Sequence, residues 1–138
     1  MIIQLRDKQK TVARPEDVHN ILQSILRAED LVDQDREHFW VFQLNVRNQI
    51  QKLELISLGT LTTSIVHPRE VFTKAIADRC CSILIAHNHP SGEVDPSEDD
   101  IEITERLANS GQILGIEVVD HVITTSNGFY SFNREGRI

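Results

Sequence analysis

The sequence predicts an α/β domain with mixed strand order, because three stretches place their apolar residues with different periods. Ser82 to Ala86 (SILIA) is a short unbroken run of β-branched and aliphatic residues, the pattern of a buried strand. Trp40, Phe42 and Leu44 alternate with polar or smaller residues across 38–46, which is the period of a second strand. Val18, Ile21, Leu22, Ile25 and Leu26 recur at three and four, which lays one apolar stripe along a helix. Helical and extended segments then interleave along the chain, the hallmark of sheet and helices packed in layers.

The first helix is expected over Pro15 to Ala28. Pro15 suits the first helical position, Glu16 and Asp17 sit at the positive end of the dipole, and the stripe is expected to pack into the core. Arg47-Asn48-Gln49 turns the strand at 38–46 into another near 50–58. Pro68 opens a helix to Asp78, which crosses to the buried strand at 82–86. Ser97 begins a second core helix running to about Ser110, with Ile101, Ile103 and Leu107 on its apolar face and Gly111 as its stop. Strands near 116–124 and 128–132 are joined by Ser126-Asn127-Gly128, a hairpin signal. No repeat, low-complexity tract or linker interrupts this order. Residues 1–138 therefore read as a single domain, with an N-terminal helical segment at 1–34 and a core at 35–138.

At 138 residues and 40% hydrophobic, the chain can bury one substantial core. No apolar run is long enough to span a bilayer, and Met1 to Asp7 lacks the apolar stretch of a signal peptide. A cytoplasmic protein without membrane association is expected. Cys80 and Cys81 are adjacent, a poor geometry for a staple, and are expected to be buried reduced thiols where a helix meets a strand. The net charge is −7 and the pI is near 5.3. Arg6, Lys8, Lys10, Arg47, Lys52, Arg69, Lys74 and Arg79 form no compact cluster, so duplex DNA is a doubtful partner.

The chemistry is concentrated in His87-Asn88-His89-Pro90, at the C-terminal end of the buried run. Side chains two apart on a strand share a face, so the two imidazoles project together, about 6–7 Å apart along the backbone. The loop from Pro90 to Pro96 carries two prolines and a glycine, which suit a fixed path. Ser97 fits an N-cap, and Asp100 falls at the third helical position, pointing back towards the loop. Two His and one carboxylate with no fourth protein ligand describe an open zinc site, in which a water with its pKa lowered to about 7 can take the free position. Glu93, Asp95, Glu98, Asp99 and Asp100 make the surrounding loop acidic.

The spacing His87-x-His89-x7-Ser97-x2-Asp100 resembles the JAMM (MPN-type) metalloprotease signature at every defined position. The longer stretch HNHPSG-x4-PS-x2-D resembles the bacterial RadC family, as do Gly59-Thr60-Leu61, His67-Pro68-Arg69-Glu70-Val71-Phe72 and Asp120-His121-Val122-Ile123. The likeness runs from about Asp35 to Phe132. It implies a JAMM/MPN-like, cytidine-deaminase-like fold: a mixed, curved sheet flanked by helices, with the metal at the sheet edge. It implies Zn2+ held by His87, His89 and Asp100, an oxyanion contact from Ser97, and a glutamate general base from an earlier strand. Glu37, directly before His38-Phe39-Trp40-Val41-Phe42, is the candidate base. Glu70 competes, but its place in the first turn of a helix already has a dipole explanation.

The resemblance further implies hydrolysis of an amide bond in a peptide or protein substrate. The rival reading is an accessory protein of DNA repair or mobile-element biology acting through protein or DNA contacts. Members of the family often carry an N-terminal helix-hairpin-helix-like region, for which this chain is too short. Of the remaining histidines, His121 reads as a satisfied core or edge residue, with a role supporting the ligands as the alternative. His67 reads as structural or substrate-proximal, and His19 and His38 carry no signal.

Overall fold

A computed structural model of the chain describes residues 1–3, 11–59 and 66–138. Among these residues, six strands form one sheet: β1 (Ile2–Ile3), β2 (Glu37–Leu44), β3 (Ile50–Gly59), β4 (Ser82–Asn88), β5 (Glu117–Thr125) and β6 (Gly128–Ser131). Their order is β1-β3-β2-β4-β5-β6. β2 lies antiparallel to both β3 and β4, whereas β4 and β5 are parallel. A parallel pair needs a long crossover, and α4 (Glu98–Leu114) supplies it. The predicted hairpin forms the β6 edge of the sheet, with Thr125 paired to Gly128.

Both faces of the sheet are covered. Trp40, Phe42, Leu44, Leu84, Ala86 and Val122 pack against Val18, Ile21, Leu22 and Leu26, the predicted stripe of α1 (Pro15–Arg27), with Ile25 at its margin. On the other face Phe39, Val41, Ile83, Ile85 and Val118 meet Val71, Phe72 and Ala75 of α3 (Pro68–Ala77) and Ile103 and Leu107 of α4. Burial on both faces is why β4 reads as an unbroken apolar run. Each such side chain contributes about 1.5–3 kcal/mol over its exposed state. Among the described residues no helix is long and apolar enough to cross a membrane.

Four details depart from expectation. α4 does not stop at Gly111. A Cβ there would lie 2.3 Å from the Ile116 carbonyl oxygen, so the glycine permits a close approach rather than an end. Gly115, left-handed at φ 75°, ends the helix. Cys81 is exposed and Cys80 only half-buried, so the thiols are free but not both buried. Arg79, left-handed at φ 54°, closes α3 by donating to Ile76 O, and the next N–H reaches Ala75 O. Burial pushes the Cys80 thiol up, away from its reactive thiolate. β1 and α2 (Leu31–Gln34) are too short to show a periodic signal. Lastly, a bulge in β5 matches Ile83 to Val118 but Leu84 to Asp120. It resets the strand's alternation, with consequences for His121. Thr60-Leu61 and the basic residues Arg6, Lys8 and Lys10 lie outside the described residues.

Candidate metal centre

β4 is an interior strand, and its C-terminal end carries the centre at the rim of the sheet. His87 sits on the face covered by α3 and α4, in line with Ile83 and Ile85. Beyond the strand's last residue the pairing continues, since His89 N–H donates to Thr124 O. His89 therefore keeps the parity of His87. After the loop, Ser97 caps α4 as predicted. Its Oγ accepts the Asp100 N–H at 3.1 Å, and Asp100 Oδ2 accepts the Ser97 N–H at 2.8 Å. This reciprocal box, beside a positive helix end, aims the Asp100 carboxylate at the imidazoles.

The three predicted ligands meet. His87 Nε2 lies 2.9 Å from His89 Nε2 and 3.1 Å from Asp100 Oδ1, and His89 Nε2 lies 3.0 Å from Asp100 Oδ2. Among the described residues these three form the group whose donor atoms are close enough to hold one metal ion. The donor set also fits a divalent ion electrostatically. Burial opposes ionisation of Asp100, yet the hydrogen bonds from His87 and His89 hold its carboxyl well below the usual carboxylate range. Burial likewise pulls His89 down, but Asp100, the Glu93 carbonyl and the Glu37 charge outweigh it and raise its pKa. The pocket therefore stabilises positive charge at this point.

The hydrogen bonds outside the cluster set the tautomers. Glu93 O can only accept, so His89 Nδ1, 2.8 Å away, holds a proton and its Nε2 can face inward with a lone pair. For His87 the chain is longer. Thr104 Oγ donates to Asp100 O at 2.7 Å, so it accepts from His121 Nδ1 at 2.5 Å. His121 Nε2 is then the acceptor for His87 Nδ1–H at 2.7 Å, so the nitrogen that can give a lone pair to an ion, once its proton is displaced, is His87 Nε2. This relay needs a neutral His121. Complete burial, reinforced by the neighbouring His87, lowers its pKa well below the ordinary value.

Glu37 heads β2 on the same face as Phe39, which pairs with His87. It lines one cavity with His89, Ser97 and Asp100, and its charge is felt at His89. Glu70 is 62% exposed beside Arg69 and is not among the residues lining that cavity. His67 caps α3 through its carbonyl, which accepts from Glu70 and Val71.

A family model for the RadC-like JAB domain matches residues 12–137. The chain belongs to this family. This RadC-like JAB domain is 48% identical over 124 residues to a UPF0758 protein of Desulforamulus reducens, covering 90% of this chain and 52% of that one. Over 136 residues it is 45% identical to a UPF0758 protein of Caldanaerobacter subterraneus, covering 99% and 56%. A UPF0758 protein of Methanosarcina mazei is 38% identical over 132 residues, covering 96% and 56%. The chain thus spans about half the length of the curated relatives it matches.

Two residues of this JAB domain, Thr104 and Asn88, escape a reading by pattern, and a third, His121, takes the role given as its alternative. His121 is buried, as expected, but it supports His87 rather than merely filling the core. The β5 bulge hid this, because simple alternation groups His121 with Val119, on the opposite face. Thr104 lies one helical turn after Asp100, where i+4 spacing brings its hydroxyl to Asp100 O. Asn88 is the unspecified position between the ligands in the His87-x-His89 spacing. Its signal was available: a strand residue between two ligands faces the other way, and a buried carboxamide requires partners.

Proposed function

We propose that this domain is a zinc-dependent hydrolase of amide or isopeptide bonds in a peptide or protein substrate. The observation that carries the reading is the cavity of about 700 Å³ whose wall brings His89, Asp100, Glu37 and Ser97 together. His87 and His89 would hold the ion through Nε2 and Asp100 through its carboxylate, leaving one position open as catalytic sites require. When bound, zinc supplies a Lewis acid that polarises the scissile carbonyl and acidifies water. Glu37 accepts the proton of the attacking water and returns it to the leaving amine. The Ser97 hydroxyl accepts the Asp100 N–H, so its own proton is available to a developing oxyanion. Such a contact is worth about 3–4 kcal/mol in the transition state.

Among the described residues the same cavity is also lined by Asp35, Glu93 and Asp95 and by no Lys or Arg. That lining suits a polypeptide better than a phosphate backbone, and we propose a cytoplasmic setting for the reaction. The test is a quenched-fluorescence library of peptides and isopeptides offered to the zinc-loaded domain. Cleavage that stops on chelation, and falls by about 10²–10⁴ in Glu37→Gln with zinc retained, supports the reading. A zinc-loaded protein that cleaves nothing favours the accessory, non-catalytic role instead.

A further inference from the structure

The strand end that carries the two metal ligands also carries, on its other face, a side chain that grips the backbone of Glu37. The β2–β4 ladder ends at the pair Phe39 and His87. One step further on, the Asn88 carboxamide replaces it. Asn88 Oδ1 accepts the His38 N–H at 2.5 Å, and Asn88 Nδ2 donates to Arg36 O at 3.0 Å. These atoms belong to the two peptide groups on either side of the Glu37 Cα. A rotation about φ of Glu37 moves the first plane relative to its side chain, and a rotation about ψ moves the second. Holding both planes fixes both dihedrals. The clamp is enclosed: Asn88 is 3% exposed, so breaking either bond strands a buried polar group. Only one orientation of the carboxamide satisfies a donor on one side and an acceptor on the other. His38 adds to the hold, with Nδ1 donating to the same Arg36 carbonyl at 2.8 Å and Nε2 against Glu29 at 2.7 Å.

We propose that Asn88 is the positioning residue for Glu37, coupling the base to the metal through three consecutive residues at the end of β4 and just beyond it. His87 and His89 set the ion, and the residue between them sets the carboxylate that serves it. The inference rests on the reading of Glu37 as the base.

Its test uses cobalt(II) in place of zinc, since it takes the same nitrogen and oxygen ligands. The midpoint pH of the visible spectrum reports ionisation at the open coordination position and requires no substrate. Glu37→Gln should shift that midpoint. Asn88→Ala, and Asn88→Asp as the isosteric variant that keeps the acceptor but loses the donor, should shift it in the same direction by at least about half as much. Each should leave cobalt stoichiometry at the wild-type level, and combining either with Glu37→Gln should add nothing further, as for residues acting through one group. A merely structural Asn88 would lower thermal stability without moving the midpoint, and that result overturns the inference. So does an additive double variant or loss of bound metal. A spectrum indifferent to Glu37→Gln removes the base assignment, and this inference with it.

Discussion

His87 can offer a metal its Nε2 lone pair only while Nδ1 keeps its proton, and two residues far from it in sequence enforce that state. The relay from His87 through His121 and Thr104 ends on the backbone carbonyl of Asp100, so one ligand's carbonyl sets the tautomer of another. His121→Ala and Thr104→Val should each weaken zinc binding by about 10- to 100-fold, the usual effect of losing a group that orients a ligating histidine. Competition against a chromogenic chelator measures this, and an affinity within twofold of wild type, about a few tenths of a kcal/mol, would show that the relay is not needed.

The metal-free cluster should also govern stability with pH. Asp100 is depressed in the fold, so its contribution is present above its unfolded value of 3.8 and is lost as pH falls below that. His89 is raised, so its contribution is full below 6.5 and fades as pH rises through its higher folded value. Neutral burial of His121 and His19 works the other way as pH falls, so the test is a comparison of variants: Asp100→Asn should lower the urea midpoint of the chelator-treated protein by more at pH 5.5 than at pH 8. Zinc should reverse the alkaline arm, because the ion competes with the His89 proton. The ligands were legible because two residues apart on a strand, and an N3 position in a capping box, have fixed directions. The supporting role of His121 was legible only as an alternative, because no residue type announces the bulge that turns it inward.

Among the elements, α4 shows most clearly how packing overrides a local signal. Gly111 has the residue type of a helix stop, yet the chain needs it where the helix back touches Ile116. Gly115, with open space around its missing Cβ but φ at 75°, does the stopping. Gly111→Ala should cost about 2–3 kcal/mol, as overpacking against backbone does, and Gly115→Ala only about 1 kcal/mol. Chemical denaturation of the two variants decides it; equal costs would mean that the close approach relaxes freely. The type and order of the longer helices and strands were legible from their periods. β1 and α2 were not, since two and four residues cannot establish one. The expectation of two buried thiols failed at Arg79, whose left-handed turn presents Cys81 to solvent.

At the scale of the whole molecule, charge and site make separate claims. The net charge of −7 and the carboxylates around the cavity predict no submicromolar binding of duplex DNA by this chain near physiological salt. Fluorescence anisotropy would contradict this if it found tight binding with a steep salt slope. The larger claim is that the sheet, the loop and the capped helix exist in this arrangement to hold one divalent ion. Elemental analysis of protein purified without chelators and supplied with zinc tests it most directly. One zinc per chain is expected, falling to none in His89→Ala while circular dichroism shows the fold retained. No stoichiometric metal in the wild type, or full occupancy in His89→Ala, would contradict the account.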